Sequence, residues 1–349
     1  MDLIEIDGSY GEGGGQLLRT ALALSCLFQT PFRIDNIRAK RRNPGLRPQH
    51  LAGVRAAQEI SDAVVEGDRI GSASLVFKPN GLKGGKYYFD VGQEQGSAGS
   101  VSLVFQTVLL PLFFAGERSS LTIKGGTHVP WSPPFHYIDA VFLATLRDMN
   151  LTAEGKLERW GWYPRGGGIA HFSIEPVDAL RPINRADRGE LLRLEAISAV
   201  SNLPEHILDR QKRQVLKRLT NEGIKGACAE IRAPSTGQGT FVFLNAAGSN
   251  WVAGFSRLGA RGKRAEDVAG DASDELFAFL SANAPVDEHL ADQLVPYMAA
   301  ANGSSRITVS KLTPHLTTNI WITEQFSSAR FEVHGALGEK GSVSCRRTS

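Results

Sequence analysis

Apolar and polar positions along the chain form a pattern that occurs three times. Each copy contains a loop of small residues, an apolar helix, a short strand and a loop with proline, and a second helix often follows. The apolar helices are predicted to open at residues 13–16, 96–100 and 289–293, with strands at 32–37, 121–124 and 307–310. This repetition predicts an α/β fold that is assembled from three related units.

The strands of the three copies are unevenly spaced. About 90 positions separate the first two strands and about 190 separate the second from the third, so the excess of about 100 residues matches one small domain. We therefore predict a small α/β domain inserted at 187–284, within a large domain formed by 1–186 and 285–334. The polar residues 335–349 are predicted to form a mobile tail.

The chain has 349 residues and a net charge of +3, from 39 basic and 36 acidic side chains. Because these charges nearly cancel, the protein does not coat nucleic acid by charge alone, and any RNA contact must be local. The three cysteines form no C-x-x-C pair, which predicts neither disulfides nor a zinc site and favours the reducing cytoplasm. The most apolar stretch, 101–115, is too short for a membrane span, so it predicts a buried helix and no membrane role.

Residues 11–16, Gly-Glu-Gly-Gly-Gly-Gln, follow an alternating strand and open a helix. Glycines let backbone N–H groups approach a phosphate, and a helix N-terminus adds partial positive charge, although no Lys-Ser or Lys-Thr of a P-loop follows. A carboxylate at Glu12 beside a phosphate indicates Mg²⁺ or Mn²⁺ between them, unless the segment is only a tight turn. Gln16 and Arg19 share one helix face and are predicted to point toward the same anion.

A second candidate segment is rich in arginine. Five basic side chains fall within residues 38–47, among prolines and a glycine that keep the segment from forming a helix. Because a guanidinium binds phosphate through two parallel hydrogen bonds, this loop is a candidate for holding a phosphorylated end, unless it is only a solvated face. It occupies in the first unit the place that His315 occupies in the third.

The third candidate is His315, in a predicted loop after the last strand. An unprotonated imidazole is a nucleophile, a proton shuttle or a metal ligand, although most isolated histidines are none of these. The eight histidines lack paired metal-ligand spacing, which disfavours zinc. Attack by imidazole on a nucleoside triphosphate requires a metal ion and cationic side chains, which the first two segments supply.

Two further segments allow both structural and functional interpretations. In 288–294, Asp292 and Gln293 head a helix and are either caps or ligands; in the second case the His289 ring stacks on a base, with Gln106 as the counterpart in the second unit. In 160–168, Trp-Gly-Trp-Tyr-Pro-Arg-Gly-Gly-Gly is either a base-stacking platform or the start of a strand at a close backbone crossing, and we favour the crossing.

Taken together, these segments resemble the RNA 3′-terminal phosphate cyclase family up to about residue 334. The matching stretches are 7–8 with 11–16, 38–50, 96–100 with Gln106, 125–127, 163–168, 289–293 and 314–319. The resemblance implies a large domain of three βαβαββ-like repeats around a pseudo-threefold axis, with a small α/β domain inserted before the third repeat.

The resemblance also implies a reaction. His315 is the expected nucleophile on the α-phosphorus of ATP, giving a histidine–AMP adduct and pyrophosphate. The AMP then passes to an RNA 3′-phosphate, and the neighbouring 2′-OH closes a 2′,3′-cyclic phosphate and expels AMP. ATP and an RNA with a 3′-phosphate end are therefore the expected partners.

The resemblance also assigns roles to the other site residues, each at a position of this sequence that matches the family's pattern. Glu12 resembles the family's metal-contacting glutamate, for Mg²⁺ or Mn²⁺. The implied ATP-binding residues are Gln106, His289, Leu290, Ala291, Asp292 and Gln293. The implied residues for the triphosphate or the RNA end are Gln16, Arg19, Arg38, Arg41 and Gln49. One departure is His289, where some relatives carry tyrosine, although either ring can stack on adenine.

Two other functions share this type of scaffold. Noncatalytic cyclase-like proteins of ribosome assembly bind without reacting and lack the nucleophilic histidine, so His315 argues against that function. An enolpyruvyl transferase has a similar repeat architecture but forms no covalent AMP adduct. The sequence leaves the oligomeric state open, and a homo-oligomer is among the states it allows.

Overall fold

The computed structural model describes residues 3–92 and 98–347 of the chain. Gly96 and Ser97, which belong to the second glycine-rich segment, lie outside the described residues. The strands are β1 (Ile4–Asp7), β2 (Phe32–Asp35), β3 (Val64–Glu66), β4 (Leu75–Lys78), β5 (Lys86–Asp90), β6 (Ser119–Gly125), β7 (Ala153–Arg159), β8 (Gly168–Ile174), β9 (Asn184–Arg185), β10 (Leu191–Ser201), β11 (Ala227–Arg232), β12 (Gly239–Gly248), β13 (Val252–Leu258), β14 (Ser305–Val309), β15 (Ala329–His334) and β16 (Gly341–Arg347).

Helices connect these strands. They are α1 (Gly15–Phe28), α2 (Pro48–Ser61), α3 (Val101–Leu112), α4 (Phe135–Tyr137), α5 (Ala144–Asp148), α6 (His206–Asn221), α7 (Ala265–Ala282), α8 (Glu288–Ala300) and α9 (Pro314–Phe326), and a π-helical segment, Ile138–Leu143, joins α4 to α5. Within the described residues, no helix is both long and apolar enough to cross a membrane.

Among the residues that the structure describes, three of the four sheets share one topology. Their strand orders are β1-β2-β4-β3, β5-β6-β8-β7 and β9-β14-β16-β15. In each, the first pair is parallel and the other two pairs are antiparallel. A parallel pair requires a crossover connection, which α1, α3 and α8 supply in turn. The predicted α/β fold is confirmed.

The fourth sheet lies between β9 and α8 in the chain. Its strand order is β11-β10-β12-β13, and α6 and α7 pack on one face around a core of their own that includes Leu244, Phe255 and Leu276. The opposite face carries Phe241 and Phe243, which belong to the larger core. The domain bounds at 187 and 284 stay a prediction.

The helices that open the repeats converge. Helix α1 packs against α3 and α9, and α8 packs against α9. Apolar residues bury α1, α3 and α8 on nearly all sides, Leu22, Phe105 and Leu294 among them. The N-terminal turns of α1, α8 and α9 present polar side chains, as does Gln106 on α3, and all of them line one cleft.

The prediction of a mobile tail at 335–349 is wrong for Gly341–Arg347. This segment is β16, which pairs with β14 on one side and β15 on the other. Val343 and Cys345 are buried in the core, while the serines at 342 and 344 alternate with them. The serines made the segment look polar, although alternation at a period of two is typical of a half-buried strand.

Candidate active site

A cleft of about 970 Å³ lies between the repeats and the fourth sheet. The predicted site residues that line it are Glu12, Gln16, Arg19, Arg38, Arg41, Gln49, Gln106, His289, Asp292, Gln293 and His315. The structure thus brings together residues that are separated by up to about 300 positions of sequence, as a crossover fold with converging helix termini allows.

The glycine-rich turn places Glu12 at the floor of the cleft. Gly11 and Gly13, on either side of it, both have φ of +56°, a conformation that favours glycine. A Cβ on Gly11 would lie 2.2 Å from the Thr318 Oγ1, so the turn packs directly against α9. Close approach of the turn to α9 is what brings Glu12 next to His315.

His315 lies in the first turn of α9, not in a loop as predicted. Thr313 caps this helix by accepting a hydrogen bond from the Leu316 N–H, and Pro314 occupies the first helical position. The imidazole Nδ1 is 2.7 Å from Gln16 Oε1, and Nε2 is 2.9 Å from Glu12 Oε2. The ring is half-exposed, so one edge faces the cleft.

The amide of Gln16 determines which nitrogen of His315 carries the proton. Gln16 Nε2 donates to Asp292 Oδ2 at 3.2 Å, so its oxygen faces the ring. Because that oxygen only accepts, Nδ1 donates to it, so a neutral ring carries its proton on Nδ1 and its lone pair on Nε2. The 2.9 Å contact between Nε2 and the Glu12 carboxylate is made by a ring that is protonated on both nitrogens. Burial, opposed by Glu12 and helped by the charges of Arg19 and Arg41, lowers the pKa of His315, so the neutral ring is favoured once Glu12 moves away.

Asp292 and Arg19 lie below the ring at the base of α8 and α1. Burial raises the pKa of Asp292 to about 7, against the charges of His289 and Arg19, and lowers that of Arg19 to about 10. Across the part of the chain that the structure describes, Arg19 has no hydrogen-bond or ion-pair partner. A desolvated guanidinium without a partner is costly, so this one is suited to binding an anion.

The basic loop is fixed to the glycine-rich turn. Lys40 Nζ donates to Gly11 O at 3.2 Å, and Arg41 Nη2 lies 3.7 Å from Glu12 Oε2. Arg38 has φ of +54°, and its Nη1 donates to Asn43 O at 2.6 Å and to Gly45 O at 2.9 Å. Arg38 therefore closes the loop on itself, whereas Arg41 keeps its guanidinium near the cleft floor.

His50 is a cleft residue that the sequence analysis missed. Burial and three neighbouring arginines lower its pKa to about 3, so the ring is neutral. Nδ1 accepts from the Arg47 N–H at 3.3 Å, which leaves Nε2–H as a donor beside Gly15. The preceding residue, Gln49, is held in place because its Oε1 accepts from the Ser100 N–H.

The predicted nucleotide segment is only partly at the cleft. Asp287 caps α8 by accepting from the N–H groups of His289 and Leu290. Leu290 and Ala291 direct their side chains into the core and do not line the cleft. Their neighbour Gln293 does line it, and its Oε1 accepts from Gln106 Nε2 at 2.5 Å.

The segment 160–168 is confirmed as a close backbone crossing. A Cβ on Gly161 would lie 2.2 Å from Gly125 O and 2.6 Å from Gly168 N. Trp160 and Trp162 are buried at 5% and 3% exposure, so neither presents a face to a base. The sequence analysis missed instead the loop 129–134 and residues 256–260 of β13 and its end, which line the cleft.

Comparison with known proteins identifies the family of this chain. The family model of RNA 3′-terminal phosphate cyclase matches residues 10–333, and the chain belongs to that family. The chain is 43% identical to an RNA 3′-terminal phosphate cyclase of Gloeothece citriformis over 95% of this chain and 96% of the relative. It is 44% identical to the one from Pyrobaculum aerophilum over 96% of each chain. The enolpyruvyl transferase NikO from Streptomyces tendae aligns with a TM-score of 0.27 at 8% identity, over 100% of this chain and 66% of that one, which is too weak a likeness to show a shared fold.

Proposed function

We propose that this protein is an ATP-dependent RNA 3′-terminal phosphate cyclase that carries AMP on His315. The observation that supports this most is the orientation of the imidazole. Gln16 accepts a hydrogen bond from Nδ1, so deprotonation of the ring leaves the lone pair on Nε2, the nitrogen that faces Glu12 in the cleft, with Arg41 near the same carboxylate. A nucleophile oriented by a second side chain is the usual arrangement of covalent catalysis.

The proposed reaction has three displacements at phosphorus. His315 Nε2 attacks the α-phosphorus of ATP and pyrophosphate leaves. An oxygen of the RNA 3′-phosphate attacks the same phosphorus, so the histidine–phosphorus bond breaks and an RNA–AMP anhydride forms. The terminal 2′-OH then loses its proton and attacks the RNA phosphorus, which closes the ring and releases AMP. Adenylylation is required because a phosphate dianion has no good leaving group.

Cleft residues divide between the two substrates in this proposal. Gln106, Gln293, Asp292 and the exposed His289 are assigned to the nucleoside of ATP. For the phosphates, the proposed ligands are Arg19, Arg38, Arg41, Gln16 and Gln49. The half-buried, unpartnered guanidinium of Arg19 supports this assignment best, because only an anion offsets its desolvation.

Glu12 is the proposed contact for Mg²⁺ or Mn²⁺. Among the described residues there is no cluster of three or more metal-ligating side chains. A single carboxylate fits Mg²⁺ nonetheless, because this ion is commonly held by one or two carboxylates together with substrate phosphates and water. When bound, the ion would neutralise charge on the triphosphate oxygens. Glu12 would then leave Nε2 of His315, and the ring would lose its Nε2 proton to solvent, which frees the lone pair.

We also propose the division of the chain at 187 and 284. The fourth sheet has its own core with α6 and α7, which supports a separate folding unit inserted before the third repeat. A cytoplasmic location is proposed on the three buried, unpaired cysteines.

The proposal is tested by covalent labelling. Incubation with ATP and Mg²⁺ is expected to add one AMP to His315, detected by intact-protein and peptide mass spectrometry. The His315→Ala protein is expected to acquire no label, since the nucleophile is absent. His334→Ala is the matched control, because His334 is exposed on β15 and does not line the cleft. Full labelling of His315→Ala would contradict the proposal.

A further inference from the structure

The loop between β6 and α4 places an indole at the edge of the cleft. Trp131 is 96% exposed, whereas Trp160, Trp162 and Trp251 are each at most 5% exposed. It lines the same cleft as His315. An indole buries a large apolar area when it packs, so leaving it in water carries a cost that a bound ligand would remove.

This indole is held in place and does not hang from a free loop. Pro130 and Pro133 flank it, and Ser132 Oγ donates to Val129 O at 3.1 Å. Trp131 itself has φ of +60°, an uncommon conformation for a bulky residue, which only a well-determined surrounding structure maintains. The loop is thus built to present a fixed aromatic face outward.

The charges around the cleft indicate the kind of ligand that covers this face. Arg19, Arg38 and Arg41 line the cleft floor and suit phosphates. A ligand that reaches both the arginines and an apolar ring needs phosphates and aromatic bases along one chain. Single-stranded nucleic acid has this chemistry, and proteins bind it by combining a cationic groove with stacked aromatic side chains.

Trp131 lies on a different element from the proposed ATP contacts. Those contacts lie on α3 and α8, whereas Trp131 lies in the loop before α4 and is 96% exposed. A strand whose terminal phosphate reaches His315 must leave the cleft across its rim. We infer that the Trp131 indole stacks on a base within the last two nucleotides of the RNA, an inference that rests on the proposed function.

The test measures RNA affinity with and without the base. The probes are short 5′-fluorescent RNAs with a 3′-phosphate, either complete or abasic at the last or second-last nucleotide, and the dissociation constant is read by anisotropy. Trp131→Ala is expected to weaken binding of the complete RNA about 5- to 100-fold, since each base stacked on an aromatic ring contributes in that range. Trp131→Phe is expected to retain most of the affinity. Tyr88→Ala, which removes a ring 60% exposed away from the cleft, is the matched control.

A double-mutant comparison assigns the contact. One abasic RNA is expected to bind wild type more weakly by the same factor and to bind Trp131→Ala no more weakly than the complete RNA does. Equal affinity of wild type and Trp131→Ala for the complete RNA would overturn the inference. Loss of AMP labelling by Trp131→Ala in the absence of RNA would also overturn it, because the indole would then contact ATP. A change in the molar mass of Trp131→Ala relative to wild type would overturn it as well, because the indole would then lie between two copies of the protein. Absence of AMP labelling in wild type is a separate result, and it would contradict the proposed function instead.

Discussion

Two histidines in this protein are each oriented by a hydrogen bond to Nδ1, but one ring faces the cleft and the other is buried. In the cleft, Asp292 orients Gln16 and Gln16 sets the tautomer of His315. Behind the cleft, the Gly161 N–H donates to Thr127 Oγ1 at 2.9 Å, so the hydroxyl proton is free for His128 Nδ1 at 2.8 Å. In both arrangements a hydrogen bond at Nδ1 sets the tautomer, but in opposite senses, since Nδ1 of His315 donates and Nδ1 of His128 accepts.

The hydrogen bonds of His128 lead to another buried side chain and do not reach the cleft. His128 Nε2–H donates to His136 Nδ1 at 2.9 Å, and the His128 ring stacks on Trp160 with centroids 3.9 Å apart. His128 is 1% exposed, whereas His315 is half-exposed with Nε2 at the cleft floor. Burial lowers the pKa of all three histidines. A perturbed pKa therefore marks both sites, and only access to the cleft distinguishes the candidate nucleophile from a structural pair.

Removing the hydroxyl behind the cleft is expected to have the largest effect, and on stability alone. Thr127→Val deprives both the Gly161 N–H and His128 Nδ1 of a partner in a buried place. Two unsatisfied buried groups predict a loss of about 2–4 kcal/mol in the free energy of unfolding. Urea denaturation at pH 7 measures it. AMP labelling of the folded variant should equal that of wild type, and a labelling defect would break the distinction between the two sites.

Removing the amide in the cleft is expected to act on labelling. Gln16→Ala leaves His315 free to adopt either tautomer and to rotate, which predicts a labelling rate about 10- to 100-fold lower, the usual cost of losing an orienting partner. The rate of AMP addition at saturating ATP is the measurement. Gln16→Glu, which keeps an acceptor for Nδ1, should recover part of the rate. An unchanged rate in Gln16→Ala would show that the ring needs no orientation.

The sequence predicted the fold better than it predicted the ends of the chain. Apolar helices with small residues at their start, as at Gly15 and Ser100, are recognisable because helix burial leaves a long uniform signal. The spacing of the repeats predicts an insertion that begins just after β9, and this division of the chain stays a prediction. Strand β16 was missed because its buried positions are only Val343 and Cys345, separated by serines.

Candidate site residues could be predicted where reactive or charged side chains lie within a segment of unusual composition. Glu12, His315 and Arg41 were singled out from unusual local composition, and tertiary packing brought His315 and Arg41 within 4 Å of the Glu12 carboxylate. Trp131 and His50 were not singled out, because a lone aromatic residue or histidine has no distinctive local sequence pattern. Their importance appears only in three dimensions, in the exposure of one and the burial of the other.

The smallest expected effect is the change in the free energy of unfolding per pH unit that the buried pair, His128 and His136, causes on acidification. Burial lowers the pKa of His128 well below 6.5 and that of His136 to about 4, so the folded state keeps both rings neutral while the unfolded chain takes up protons below about pH 6.5. The stability that they contribute is complete above that pH and is lost as pH falls toward 4. The free energy of unfolding should fall by at most about 1.4 kcal/mol per pH unit for each ring.

Asp292 changes the free energy of unfolding with pH in the opposite direction to the histidines. The contribution of His136 is therefore measured as the difference between wild type and a variant that lacks this ring. The Asp292 pKa of about 7 in the folded protein exceeds the usual value for a carboxyl, so this group favours folding as pH falls through 7. His136→Gln removes one titrating ring and leaves Asp292 in place. Urea titrations at several pH values between 7 and 4.5 should therefore show a smaller loss of stability for this variant than for wild type. Parallel curves would mean that the pKa of His136 is the same in the folded and the unfolded state, which would contradict a buried ring held neutral.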